Sequence, residues 1–167
     1  MTAVAAPSVD QMWAALRAVP DPEIPVISVT ELGIVRDLRL DGDAVEVTVT
    51  PTYSGCPATE LIAQQIVSAL KAAGAADVRV RTQLAPAWTT DWIDAAARER
   101  LRAYGIVPPG QRSTGDMQPI GLVPRRLPCP RCGSVDTERL SQFGATACKA
   151  LYRCRACAEP FEYFKPL

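Results

Sequence analysis

Apolar residues near the start of the chain recur at spacings of three and four: Val9, Met12, Trp13 and Leu16. That spacing sets them on one helical face, with Ser8 available as the cap. Pro20, Pro22 and Pro25 stop the helix, because each ring fixes φ and disfavours the α region before it. From Gly33 to Leu40 the pattern shifts to partial alternation, and from Ala44 to Thr50 it alternates strictly. Asp41-Gly42-Asp43 between these runs predicts a β-hairpin. A second helical pattern extends from Pro57 to about Ala73, with Leu61, Ile62, Ile66, Val67 and Leu70 turned inward and Gly74 as the stop. Asp77–Leu84 alternates again, as a third strand. The last helical pattern spans roughly Thr90 to Tyr104, with Thr89 as cap and Trp88 and Ile93 as a hydrophobic staple. Helix, β-hairpin, helix, strand, helix predicts an α+β two-layer sandwich.

Periodicity is lost between Val107 and Pro128, where Pro, Gly, Ser and Arg accumulate as in a linker. The expected division is an α+β domain over 1–106, a linker over 107–128 and a small C-terminal zinc ribbon over 129–167. In that last stretch cysteine replaces periodicity as the signal. Five of the six cysteines lie in the last 39 residues, four of them as Cys129-Pro-Arg-Cys132 and Cys154-Arg-Ala-Cys157. Two Cys-x-x-Cys turns supply four soft thiolates, the donor set of a closed tetrahedral zinc site. Gly133 permits the tight turn the first pair needs, whereas Ala158 stands at the matching place in the second. Arg131, Arg153 and Arg155 are placed to offset the negative charge of a tetrathiolate. So short a module buries too little apolar surface to fold unaided, and the metal is expected to act as its core. Cys148 lies outside the pairs: it is either a small buried strand residue or an alternative ligand or reactive thiol beside Lys149.

Cys56 stands alone in Thr52-Tyr-Ser-Gly-Cys56-Pro57. Pro57 suits the first helical position, which makes Cys56 the cap and sets its thiolate against unpaired N–H groups and the positive helix end. Glu60, one turn on, opposes that effect, and Gly55 lets a metal or partner approach. The residues leave two readings open, a functional thiolate or a buried structural thiol. As a ligand it would need others from a dimer or a client protein. Asp21 and Glu23 are either carboxylates standing behind a metal at Cys56 or solvated acids of a proline-rich turn. Trp88 and Trp92 are core residues or a binding platform.

Composition narrows the function. There is no histidine, which removes Ser-His-Asp and Cys-His nucleophile systems and histidine-bound iron sites. Hydrophobic residues make up 48% and formal net charge is zero, so bulk charge points to neither nucleic acid nor an anionic membrane. The charge is uneven: residues 125–167 carry eight Lys/Arg against four Asp/Glu. The N-terminus lacks a basic segment followed by a long apolar run, and no stretch approaches the ~20 apolar residues of a membrane helix. A cytoplasmic, reducing location is expected, with thiols that bind metal rather than form disulfides.

Asp21-Pro-Glu-Ile-Pro-Val26, Leu32-Gly-Ile-Val35 and the Cys56-Pro57 helix start resemble the small domain of SufT-like and cytosolic iron–sulfur assembly proteins, over about residues 9–95. With Trp88-Thr-Thr-Asp-Trp92, Phe143-Gly-x-Thr-x-Cys-Lys149 and Pro160-Phe-Glu-Tyr-Phe-Lys165 added, the whole chain resembles the PaaD family. That family accompanies the phenylacetyl-CoA epoxidase system of bacterial aerobic phenylacetate degradation. The resemblance implies a non-catalytic accessory protein that matures or repairs iron–sulfur or di-iron centres held by other subunits. It also implies transient handling of iron or a cluster at Cys56, structural zinc at Cys129, Cys132, Cys154 and Cys157, and a family counterpart for Cys148. Implied partners are the oxygenase and reductase subunits or iron–sulfur assembly proteins, and a second copy of the chain. A stable scaffold or regulatory subunit is the rival reading. A zinc-ribbon nucleic-acid binder fits the tail alone, and zero net charge counts against it.

Overall fold

The computed structural model describes residues 8–41, 44–110 and 127–166. The chain divides into two compact units, one running to Trp88 and including Trp92–Asp94, the other formed by Thr89–Asp91 and the chain from Ala95 onward.

In the first unit, helix α1 (Val9–Arg17) opens with a full capping box. The Gln11 N–H donates to Ser8 Oγ at 3.2 Å, and the Ser8 N–H donates to Gln11 Oε1 at 2.9 Å. Two N–H groups without helical partners are thereby satisfied. The buried stripe is narrower than expected, Met12 and Leu16 only, with Trp13 half-buried and Val9 exposed. Strands β1 (Val35–Asp41) and β2 (Ala44–Val49) pair antiparallel as the predicted hairpin, with Asp41 opposite Ala44. Gly42 and Asp43 of the expected turn lie outside the described residues.

Helix α2 (Ala58–Ala72) buries Ala58, Ile62, Ile66 and Leu70, a strict i, i+4 line. Leu61 and Val67, expected inside, fall to either side, exposed and half-buried. The helix ends in a Schellman motif. Gly74 takes φ +102, its N–H donates to Lys71 O, and the Ala75 N–H donates to Leu70 O, both at 3.0 Å. Strand β3 (Asp77–Thr82) then pairs parallel with β2, giving the order β1-β2-β3. α1 and α2 touch each other and the sheet, so Val45, Val47, Val49 and Leu38 are buried beneath them in the expected two layers. Each such large side chain contributes about 1.5–3 kcal/mol by leaving water.

The predicted helix from Thr90 to Tyr104 is divided. A single 3-10 turn covers Thr90–Trp92, and α3 begins at Ala95 (Ala95–Tyr104). The break has a physical cause: the Asp94 N–H donates to Glu31 O at 2.9 Å, not to a carbonyl one turn back. Trp88 is buried and its indole N–H donates to Leu32 O at 3.0 Å, so it serves the core of the first unit. Trp92 is half-buried, with the Arg36 guanidinium 3.5 Å above its ring. Gly33 has φ +71, and a Cβ there would stand 2.7 Å from Trp92 Cβ, so only glycine fits.

α3 and strand β4 (Ile106–Val107) belong to the second unit, so the boundary falls after Asp94 and not at 106. Arg98 of α3 ties this segment together, donating to Thr90 O at 2.6 Å and Pro109 O at 2.8 Å. The expected linker begins inside structure: Val107 pairs with Tyr163, and Pro108, Pro109 and Leu127 are buried. Residues 111–126 of it lie outside the described residues. Strands β5 (Thr137–Ser141), β6 (Lys149–Cys154) and β7 (Pro160–Phe164) complete a sheet of order β4-β7-β6-β5. The ribbon therefore has a fourth strand and an apolar cluster of Val107, Leu127, Ala150, Tyr152, Phe161 and Tyr163. Tyr152 stacks on Phe161 at 5.8 Å between ring centroids and meets Tyr163 edge-on at 6.0 Å. The expectation that metal alone forms the core of this module is corrected by those rings.

Candidate metal centre and the outlying cysteines

Each Cys-x-x-Cys turn folds its backbone onto its own sulfurs. In the first, the Gly133 N–H donates to Cys129 O and the Cys129 N–H to Ser134 O, each at 2.9 Å. In the second, the Cys154 N–H donates to Glu159 O at 2.9 Å. The residue after each pair is left-handed, Gly133 at φ +74 and Ala158 at φ +64. The two turns are thus the same device, with the second carrying a Cβ at a conformation that costs an L-residue about 1–2 kcal/mol.

The four sulfurs of Cys129, Cys132, Cys154 and Cys157 all lie within 4.8 Å of one another. Cys129 Sγ is 3.8 Å from Cys157 Sγ, and Cys132 Sγ is 3.6 Å from Cys154 Sγ. A tetrahedral ion bound at about 2.3 Å by sulfur requires S···S edges of ~3.8 Å. The donor set and its dimensions fit such an ion. Burial alternates: Cys129 and Cys154, the first of each pair, are 2% and 0% exposed and belong to the apolar cluster, whereas Cys132 and Cys157 are exposed.

The thiols differ electrostatically too. N–H groups of Cys157 and Ala156 aimed at Cys154, with help from neighbouring thiols, hold it down to about 7. Cys157 moves the other way, up to about 12: the Glu159 N–H lowers it, but desolvation and the thiols of Cys132, Cys154 and Cys129 outweigh that. Four crowded thiols cannot all ionise without a cation among them.

The three arginines expected to offset thiolate charge are engaged by glutamates. Arg131 of the first turn pairs with Glu159 beyond the second, bridging the two knuckles. Glu138 on β5 accepts from both Arg153 and Arg155, whose hydrogen bonds hold its carboxyl below the usual range, Arg155 contributing most. Sequence reasoning missed these glutamates. The signal for Glu138 is register, since it lies opposite Arg153 across the β5–β6 pair.

The Phe143–Lys149 motif forms the loop from β5 to β6. Glu162 of β7 organises it, accepting from the Ala145 N–H at 3.0 Å and from Lys149 Nζ at 2.7 Å. Lys149 is only 3% exposed, and a Cβ on Gly144 would stand 2.5 Å from Glu162 Oε1. Cys148 is buried with Thr146 Oγ1 3.1 Å from its sulfur, and it is not among the four converging thiols. Lys149, expected beside the Cys148 thiol, is paired with Glu162.

Cys56 is half-buried before α2. It is not the capping residue: Pro57 takes that place, with helical dihedrals and no side-chain cap bond. A proline ring prefers this φ, so the helical conformation starts one residue later than a Cys56 cap requires. Cys56 still contributes its carbonyl, which accepts the Thr59 N–H at 3.2 Å. Gly55 has φ +87 and open space where a Cβ would point. Asp21 is buried, against the expectation of a solvated acid, and its Oδ1 accepts the N–H groups of Glu23 and Ile24, both at 2.9 Å. It therefore shapes the proline-rich turn, while Glu23 is exposed. Asp21, Glu23 and Cys56 do not converge as a ligand group; among the described residues only the four tail cysteines do.

Two family profiles match separate parts of the chain, an iron–sulfur cluster assembly protein over residues 10–82 and a PaaD zinc beta ribbon domain over residues 118–165. The chain is 50% identical to a 1,2-phenylacetyl-CoA epoxidase subunit of Escherichia coli, over 99% of its own length and 97% of that protein. It is 34% identical to an Fe-S protein maturation auxiliary factor of Porphyromonas gingivalis, over 52% of this chain and 83% of that one. Among solved structures, the crystal structure of the DUF59 domain from Bacillus anthracis matches with a TM-score of 0.51 and 26% identity, covering 55% of this chain and 89% of that one.

Proposed function

We propose that this chain, which belongs to the PaaD family of 1,2-phenylacetyl-CoA epoxidase subunits, is an accessory protein that matures or repairs the iron–sulfur or di-iron centres of such an epoxidase. The observation that carries the reading is the pairing, in one chain, of an iron–sulfur assembly unit with a four-cysteine metal module. In this reading the tail sulfurs hold structural zinc and Cys56 takes iron or a cluster in transit. A closed four-sulfur cage leaves no open position for exchange or substrate, which suits a structural ion. Cys56 sits at a half-buried helix entrance with open space over Gly55, where a client can supply the missing ligands. Asp21 acts there by shaping its own turn. The protein is expected to work in the cytoplasm, beside the oxygenase and reductase subunits.

The test is co-production of the epoxidase subunits with the wild-type chain, with Cys56→Ser, or without the chain. The reading expects low iron content and low epoxidase activity in the last two cases and full values in the first. Full iron content and activity with Cys56→Ser would overturn the role of Cys56. The full-length similarity to a protein named as a subunit favours a second reading, a stable scaffold. Stoichiometric co-purification, with fully metallated epoxidase formed in the absence of the chain, would select that reading.

A further inference from the structure

The alternation of burial in the metal centre has a chemical consequence. The two exposed sulfurs, Cys132 and Cys157, come from different knuckles, and each lies against a buried sulfur of the opposite knuckle. We propose that the four-cysteine centre is a peroxide-sensitive switch: oxidation enters at Cys132 or Cys157 and ends in a disulfide to Cys154 or Cys129, releasing the metal without unfolding the sheet.

The chemistry needs only a peroxide. An exposed thiolate attacks one peroxide oxygen, the O–O bond breaks, and hydroxide leaves a sulfenic acid on the sulfur. The nearest thiolate of the other knuckle attacks that sulfur, 3.6 Å away for Cys132 and Cys154 and 3.8 Å for Cys157 and Cys129. The S–S bond forms, the S–O bond breaks, and a second hydroxide departs. Two sulfurs give up one electron each, the peroxide accepts both, and two protons from solvent turn the hydroxides into water. Two ligands are then lost, and the two remaining thiolates make a poor site. A dithiol reductant reverses the bond by exchange at the exposed sulfur.

Two features make the event local. Burial screens Cys129 and Cys154 from the oxidant, so attack is directed to the outer pair. Behind the inner pair, Tyr152, Phe161, Tyr163 and the β4–β7 pairing hold the strands together by contacts that need no metal. The Arg131–Glu159 bridge also joins the knuckles independently of sulfur. The inference rests on the metal reading of the four sulfurs and not on any client.

Zinc-loaded full-length protein is titrated with hydrogen peroxide while a chromogenic chelator reports free zinc, and peptide mass mapping locates disulfides. Zinc content before peroxide tests the metal reading by itself. The inference expects zinc release in step with one disulfide between knuckles, joining Cys132 to Cys154 or Cys157 to Cys129. It also expects a far-ultraviolet spectrum retaining its strand signal and recovery with dithiothreitol plus zinc. Brief alkylation of the loaded protein should label Cys132 and Cys157 at least about tenfold faster than Cys129 and Cys154. Zinc retained after the tail thiols are oxidised, disulfides involving Cys56 or Cys148 instead, or loss of the strand signal with release would each overturn it.

Discussion

The two units bury their chains by different means. The first relies on apolar side chains alone, with the Ala58, Ile62, Ile66 and Leu70 line of α2 and Met12 and Leu16 of α1 covering a three-stranded sheet. The second places two cysteines among its buried residues and uses them twice, as core volume through Cys129 and Cys154 and as metal ligands. Its aromatic cluster carries what sulfur does not. Where ligands are also core, metal binding and folding are linked. Where the lone cysteine is half-buried outside the core, as Cys56 is, ligand chemistry can change at little cost in stability.

Cys154→Ser should separate the units most. It removes a fully buried ligand, so the second unit is expected to lose its metal and several kcal/mol of stability, while the first unit's melting transition stays in place. Metal analysis and calorimetry check both, and excess chelator should reproduce the effect on the wild type. The mirror experiment is Met12→Ala, a fully buried truncation in the first unit expected to cost about 2–5 kcal/mol with metal content unchanged. Gly33→Ala should act on the same unit through Trp92, by about 1–3 kcal/mol, read by denaturant titration.

The metal-free second unit should show its own pH signature under reducing conditions. Cys154 is depressed to about 7, so its contribution is complete above the unfolded thiol value near 9 and is lost as pH falls through 7. Cys157 is raised to about 12, so its contribution is complete below 9 and is lost as pH rises toward 12. Stability of the chelated protein should therefore peak near pH 9, whereas metal loading should flatten the profile around neutrality. The smallest effect is expected from Ala158→Gly, which relieves a left-handed alanine and should raise the melting temperature by the equivalent of ~0.5–1 kcal/mol.

The elements of the first unit were legible because each carries a local signal: a capping serine, a clean alternation, a C-terminal glycine. The four-cysteine site was legible for the same reason, two short-range turns with a known donor requirement. What escaped depends on pairing between distant residues. The break at Asp94 arises from its bond to Glu31, and β4 exists only because β7 lies alongside it. The apolar core of the tail is spread over Val107, Leu127, Tyr152 and Phe161, which no window of sequence brings together. Glu162 is similar: its bonds to Ala145 and Lys149 explain the Phe143–Lys149 motif, yet it stands 13 residues beyond Lys149. The buried state of Asp21 was missed because its own turn's N–H groups satisfy it, so proline-rich composition looked solvated.

The central claim is a division of labour, with four tail cysteines holding a structural ion and Cys56 handling metal in transit. Metal analysis with visible absorption on anaerobically purified wild type and Cys56→Ser tests it most directly. One zinc per chain is expected in both proteins, and a brown iron chromophore only where Cys56 is intact. A chromophore that persists in Cys56→Ser, or iron in place of zinc at the four tail cysteines, would contradict it.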